Sequence, residues 1–322
     1  MSIALGGCRL SDGRLHIGHY HGCFGAQKLR SGFNKYFFVV QDSSSQVGDG
    51  HKETESLLSI LAELYALDLG TTITVFRQSQ VFPEYSRLFD SLLDSATCSL
   101  LEDTHPNKSH IANRAGMRVK DYLFPIEQVA QILATGATDV VMNDDNLRFV
   151  HLARRLRKTV MHRYPGFRLV RPTLLASDVP RLIGANGKKI SKGNRNALFL
   201  EAKASEIQEY VAGFSHKKRL FACGAPFRLA YQSGDQDHEL PELMPLVVLH
   251  KAFCDQGTAQ YRIGDMHEIA SEVTQSLIKL FSDFSEKKRM GLAEPESLLA
   301  RLEDDEVVVR DQIRLVLGGA EN

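Results

Sequence analysis

The chain has 322 residues, 43% apolar and 24% charged, with 39 lysines plus arginines against 39 aspartates plus glutamates. These are the proportions of a soluble globular protein, and the even balance excludes a global field that would draw in nucleic acid. Any RNA contact must come from a local basic surface. The length exceeds what one core usually organises, so two domains are expected.

Five cysteines (8, 23, 98, 223 and 254) form no CxxC pair, which disfavours structural zinc and a disulfide scaffold and fits a reducing cytoplasm. No basic leader with an apolar core stands at the N-terminus, and no run approaches about 18 apolar residues. A soluble, cytoplasmic protein without membrane contact is the expectation, and a metal site is not.

Taken in order, Ile3 to Leu5 is a short apolar run that enters the glycine-rich turn Gly6-Gly7-Cys8-Arg9-Leu10-Ser11-Asp12-Gly13. Leu15-His16-Ile17-Gly18-His19-Tyr20 follows, where a helix is expected over His19 to Arg30. Gly18 lets a nucleotide approach bare backbone, and the helix start offers free N–H groups to phosphate. Two imidazoles three apart share one face, so both can meet an α-phosphate. Read alone, the pair is simply two histidines at a helix start. A metal site of His16, His19 and His21 is weaker, because His21 points elsewhere.

Tyr36 to Val40 has the aromatic and β-branched pattern of a buried strand and ends beside Asp42. A carboxylate there lies where doubly wound sheets bind ligands, although such aspartates also cap turns. Leu57 to Leu67 carries a helical apolar face, Thr72 to Phe76 reads as a strand, and Leu88 to Leu93 as helix. The order β-α-β-α-β argues for a parallel sheet with right-handed crossovers. Ser99 to Val119 is polar and reads as part of an insertion over about 77–122.

A helix opens at Phe124-Pro125-Ile126-Glu127-Gln128, with Pro125 in its first turn. Asp139 to Met142 reads as a strand ending at Asn143-Asp144-Asp145-Asn146. The helix after it, Leu147 to Tyr164, carries Arg154, Arg155, Arg157, Lys158, His162 and Arg163, either an RNA-facing surface or a solvated face. The lysine-rich stretch Gly187-Lys188-Lys189-Ile190-Ser191-Lys192-Gly193 comes next. Beyond residue 200 the spacing is helical over 207–211, 240–254, 266–284 and 298–317.

Together the stretches around His16 and Lys192 resemble the two signatures of class I aminoacyl-tRNA synthetases, in the right order. Ile190 stands for the usual methionine of the second signature, and Gly193 for its last serine. Within that class the chain resembles the tryptophanyl/tyrosyl branch, tryptophanyl-tRNA synthetases in particular. Phe124 to Gln128, Val140 to Arg154 and Leu240 to Leu246 carry the likeness further.

The resemblance implies an α/β fold, with a Rossmann-like parallel-sheet catalytic domain over 1–200 and an α-helical domain over 201–322 on the anticodon side. It implies ATP-dependent activation of an aromatic amino acid, tryptophan or an analogue, and transfer to tRNA by a homodimer using Mg²⁺. His16, His19, Lys189 and Lys192 would be catalytic. Arg9, Ser11, Gly18, Asn143, Asp145, Ile190, Ser191 and Gly193 would join His19, Lys189 and Lys192 around ATP. Asp42, Phe124, Gln128 and Gln131 would hold the amino acid.

The apolar Leu88, Phe89, Leu92, Leu93, Leu100 and Leu101 are expected to need a dimer interface for burial. Gln131 stands where bacterial members carry an aspartate that reads the indole N–H, Asn143 replaces a glycine, and Asn146 replaces a glutamine. These departures bear on amino-acid choice and efficiency. Three alternatives remain: a diverged paralogue with another amino acid or a non-translational role, a small nucleotidylyltransferase, and a non-catalytic RNA-binding homologue.

Overall fold

The computed structural model describes residues 2–10, 13–24, 33–42, 50–67, 73–105, 116–142, 146–175, 182–215, 240, 244–254 and 261–318. Five strands form one parallel sheet: β1 (Ile3–Arg9), β2 (Lys35–Gln41), β3 (Ile73–Arg77), β4 (Asp139–Val141) and β5 (Thr173–Leu175). Their order is β3-β2-β1-β4-β5. The chain thus winds outward from β1 in one direction and then returns to its other side. Such a reversal opens a crevice at the C-terminal ends of β1 and β4, where doubly wound sheets take ligands.

Tyr36, Phe37, Phe38, Val39 and Val40 are all 0% exposed, because helices cover both faces of β2. Side chains alternate between two cores. Tyr36, Phe38, Val40 and Val75 face one. Leu5, Phe37, Val39, Phe76 and Val140 face the other.

Helices α1 (Ile17–His19), α2 (Gly50–Ala66), α3 (Gln78–Ser95), α4 (Cys98–Thr104), α5 (Val119–Ala134) and α6 (Leu147–Arg163) accompany the sheet. Beyond it come α7 (Ala204–Ala212), α8 (Pro245–Phe253), α9 (Met266–Leu292) and α10 (Pro295–Val316). Helix α9 packs on α2, and α10 packs along β3. The core therefore does not divide at residue 201. Leu246, Val273 and Leu277 join the sheet's first face, and Val309 and Ile313 its second.

Several expectations are corrected. The helix expected from His19 begins at Ile17 and becomes a π-helical turn over Tyr20–Phe24; 25–32 lie outside the described residues. The helix expected from Phe124 begins at Val119, which places Pro125 inside it rather than in its first turn.

Over 78–104 the insertion expected at about 77–122 is core rather than an excursion between sheet halves. Helix α3 carries Val81, Tyr85, Leu88 and Leu92 onto the sheet, and α4 adds Leu100 and Leu101 to the same core. Phe89 and Leu93 pack against it, partly buried. The apolar residues expected to need a partner are thus covered within the chain.

Candidate active site

The first signature is held by its own side chains. His16 Nδ1 accepts from the backbone N–H of Gly18 at 3.1 Å and of His19 at 3.3 Å. His19 Nδ1 accepts from the N–H of His16 at 3.4 Å, completing a reciprocal cap. The two rings stack with centroids 3.8 Å apart. His16 is buried, so the imidazoles form a fixed pair at the start of α1.

The second signature folds back against the first. Ile183 bridges Lys189 across a turn in which Gly187 has φ 74°, the left-handed region that glycine tolerates. Ile190 is buried in the core and anchors the loop where the family signature has methionine. Leaving the loop, the chain pairs with the first signature: Ile17 N–H donates to Leu198 O at 2.9 Å, and Leu200 N–H to Leu15 O at 3.2 Å. A Cβ on Gly18 would stand 2.9 Å from the His16 ring and 3.4 Å from the Ile190 carbonyl oxygen.

Three asparagines fasten this loop, and the sequence pattern alone gives none of them a role. Asn196 Nδ2 donates to Asn186 Oδ1 at 2.8 Å, Asn196 Oδ1 accepts from Ser191 N–H at 2.9 Å, and Asn194 Nδ2 donates to Lys189 O at 2.8 Å. Ser191 Oγ accepts from Asn194 N–H and caps the short turn Lys192–Asn194. A Cβ on Gly193 would meet nothing within 4 Å.

Lys189 and Lys192 are half-buried, and Lys192 Nζ lies 5.9 Å from the centre of the Phe199 ring. Their charges bear on two buried thiols at the floor. Burial pushes Cys23 up to about 11, against the opposing pull of a backbone hydrogen bond at Gly7 and of Lys189. Burial also raises Cys8 far above the ordinary thiol range, and Lys192 opposes that rise.

Of the expected amino-acid residues, Asp42 and Gln131 stand at the end of β2, and Phe124 stands at the end of β1. Arg9, at the end of β1, lies over the Phe124 ring at 4.7 Å and so joins the two halves of the site. Gln131 Oε1 accepts from Gln41 Nε2 at 3.4 Å. Asp42 accepts from the N–H and hydroxyl of Ser79, which fastens β2 to the first turn of α3. Burial pushes Glu127 above the usual carboxylate range, against Lys120, a hydrogen bond from Gln78 and the charge of Arg9. Ser11, Asn143 and Asp145 lie outside the described residues.

On α6 the basic residues divide. Arg154 Nε donates to Pro172 O and Arg157 Nε to Leu169 O, each at 2.6 Å, which ties the helix to the approach to β5. Arg163 pairs with Asp94 at 3.0 Å. Arg155, Lys158 and His162 are exposed on one stripe with His151.

Residues 11–220 match the family model described as tRNA synthetases class I (W and Y). The tryptophan–tRNA ligase of Clostridium longisporum is 31% identical over 215 residues, covering 62% of this chain and 62% of that protein. The one from Treponema pallidum is 26% identical over 309 residues, covering 90% of this chain and 87% of that protein. The chain thus spans about 62% of the length of the first curated relatives it matches. Among solved structures, tryptophanyl-tRNA synthetase from Campylobacter jejuni complexed with ADP and tryptophan aligns with TM-score 0.71 at 19% identity, over 98% of this chain and 97% of that one. The Mycoplasma pneumoniae enzyme aligns with TM-score 0.76 at 15% identity, over 98% and 95%.

Proposed function

The chain belongs to the class I tRNA synthetases of the tryptophan and tyrosine branch, and from that premise we propose that it activates an aromatic amino acid, tryptophan or an analogue, with ATP and passes it to tRNA. The observation that carries this reading is the meeting of the two signatures, through the Ile17–Leu198 bond and the approach of Gly18 to Ile190.

The amino acid's carboxylate oxygen attacks the α-phosphorus in line, and the bond to pyrophosphate breaks. The protein supplies no nucleophile, so its work is positioning and charge stabilisation. In this proposal His16 and His19 serve the α-phosphate. Gly18 leaves room for the nucleotide, and Lys189 and Lys192 take the pyrophosphate. The side chains facing the phosphates are imidazoles and ammoniums, so Mg²⁺ would be held by phosphate oxygens, where it offsets their charge. Arg9, Ser11, Asn143, Asp145, Ile190, Ser191 and Gly193 complete the ATP site, and Asp42, Phe124, Gln128 and Gln131 the amino-acid site.

Residues 1–200 would carry activation and 201–322 the anticodon side of tRNA, with Arg155, Lys158 and His162 as the local basic surface a neutral chain requires. The homodimer is proposed on the family resemblance. No helix among the described residues is long and apolar enough to cross a membrane.

ATP–pyrophosphate exchange with each of the twenty amino acids tests the proposal. Exchange with an aromatic amino acid is expected. Lys192→Ala and His19→Ala should each slow it by about 10²–10³-fold, the loss of one preorganised charge partner, roughly 2.7–4 kcal/mol. Exchange at the full rate in either variant removes the assignment.

A further inference from the structure

Three charged side chains from separate parts of the chain meet beside the signature segments. Lys288 Nζ lies 2.8 Å from Glu63 Oε1 and 2.6 Å from Glu201 Oε2. Each carboxylate has its second oxygen engaged as well. Glu63 Oε2 accepts the N–H of Leu15, and Glu201 Oε1 faces the Arg14 guanidinium at 3.8 Å. Leu15 O in turn accepts the N–H of Leu200 at 3.2 Å. These contacts close a circuit, from Lys288 through Glu63, Leu15, Leu200 and Glu201 back to Lys288. Its two backbone members flank the His16–Phe199 bridge.

Helix α9 does not depend on this circuit to dock, because Val273, Leu277, Phe281 and Phe284 are buried in the first core of the sheet. Taking charges out of water is costly, and a buried ion pair often contributes no more than apolar side chains would. Its best-attested use is to fix register. Burial pushes Glu63 above the usual carboxylate range, with Lys288 and the Leu15 N–H opposing the rise and Glu201 adding to it. Two carboxylates thus share one ammonium. The register they fix is that of residues 15–17 against 198–200, which sets how the His16–His19 pair stands to the loop that carries Lys189 and Lys192. Arg14 strengthens the same link: its guanidinium lies over the Phe199 ring at 4.0 Å, and Lys192 Nζ is 5.9 Å from the centre of that ring.

Resting on the reading that the two signatures together activate an amino acid, we propose that Glu63, Lys288 and Glu201 are positioning residues that set the juxtaposition of the imidazoles and the loop ammoniums. None of the three belongs to either signature. They act through Leu15, next to His16, and Leu200, at the exit of the loop. Such an interaction is felt in the transition state, where both sets of groups must meet the phosphates at once. Its loss therefore lowers kcat more than it raises KM.

Lys288→Met breaks the link but strands Glu63, so the test rests on Glu201→Met, which leaves the buried Glu63–Lys288 pair in place. In ATP–pyrophosphate exchange its kcat should fall on the order of 10- to 10²-fold, with KM for ATP and amino acid within about twofold of native. Glu201→Gln, whose carbonyl still accepts from Lys288, should recover most of the rate. In a Lys192→Ala background Glu201→Met should cost less than about twofold more, because residues that act through one another are non-additive. The full cost in that background, or native kcat in Glu201→Met alone, overturns the inference and leaves the activation reading standing. Amide hydrogen exchange reads the same link without activity. The N–H groups of Ile17 and Leu200 should exchange about tenfold faster in Glu201→Met, while those of α2 and α9 keep their protection. Unchanged protection at Ile17 and Leu200 also overturns the inference. A native chain that supports exchange with no amino acid removes the activation reading instead, and the two amides then decide the link.

Discussion

The ammonium of Lys288 lies 2.8 Å from the carboxylate of Glu63, a buried ion pair joining residues 225 apart in sequence. Glu63 is 0% exposed and also accepts the backbone N–H of Leu15, the residue before His16. Lys288 further holds Glu201 at 2.6 Å, just beyond the second signature loop. One lysine of α9 thus ties both signature segments to the helical region. Burial works against the Lys288 charge, yet the bonds to Glu201 and Glu63 hold its pKa above the ordinary lysine value.

Removing that lysine strands a buried carboxylate. Lys288→Met is expected to cost about 3–5 kcal/mol in urea unfolding, the usual penalty for breaking a buried pair from one side. Adding Glu63→Gln should restore much of the loss, because no uncompensated charge then remains. A single variant as stable as the native chain would show that Glu63 is neutralised by other means.

Gly18→Ala tests the contact between the signatures. Its Cβ would meet the His16 ring at 2.9 Å, under the separation real Cβ atoms keep, and that ring is pinned by its cap bonds to the N–H groups of Gly18 and His19. A displacement of this kind costs on the order of 10²-fold in rate. Exchange should fall by that factor while the melting temperature stays near native. Unchanged exchange would mean that the loop yields without consequence.

On α6, neighbouring arginines should behave in opposite ways. Arg155→Glu and Lys158→Glu are expected to weaken tRNA binding and to lower its salt dependence, by about one unit of slope for each phosphate that is no longer neutralised. Arg154→Ala and Arg157→Ala should instead cost about 1 kcal/mol each of folding stability, because their bonds go to backbone carbonyls. Filter binding across a salt series, beside thermal melts, separates the two classes.

A pH effect is expected from α8. His250 is buried, with its ring nitrogens bonded to Tyr261 and Glu272 at 3.1 and 2.6 Å. The influence of Cys254, opposed by burial and helped by Glu272, holds its pKa above 6.5. A raised folded-state value stabilises the protein fully below about 6.5 and loses that contribution as pH climbs through the folded value. Melting temperature should fall over that upward window, and Glu272→Gln should flatten the fall.

The signatures were legible because phosphate chemistry restricts them to few residue types at fixed spacings. The strands β2 and β3 were legible because a sheet covered on both faces needs continuous apolar runs, whereas β1 runs on through Gly6, Gly7, Cys8 and Arg9, whose glycines read as a turn. What escaped are residues whose meaning depends on distant partners. Glu63 sits between the buried Leu61 and Leu64 on α2, and a charge at such a position is a signal that some cation must reach it. The sequence does not say that the cation is Lys288. Glu201 carries no visible signal for a similar reason, since the lysine it pairs with lies 87 positions further on. The basic run of α6 looks uniform until the Pro172 and Leu169 carbonyls separate its inner arginines from its outer ones.

At the outer edge of the sheet, β3 presents backbone N–H groups that no further strand among the described residues accepts. The carboxylates of α10 take that place: Asp305 accepts from Val75 N–H at 2.8 Å, and Glu306 from Arg77 N–H at 3.2 Å. Glu306 also grips the Arg77 guanidinium at 2.7 Å. During synthesis the strand emerges more than two hundred residues before the helix that covers it. Until α10 leaves the ribosome, the nascent sheet carries an open edge of the kind that recruits other chains. Substitutions at Asp305 or Glu306 would therefore be felt first in the yield of newly made protein, and chaperone dependence would increase before the finished fold weakened.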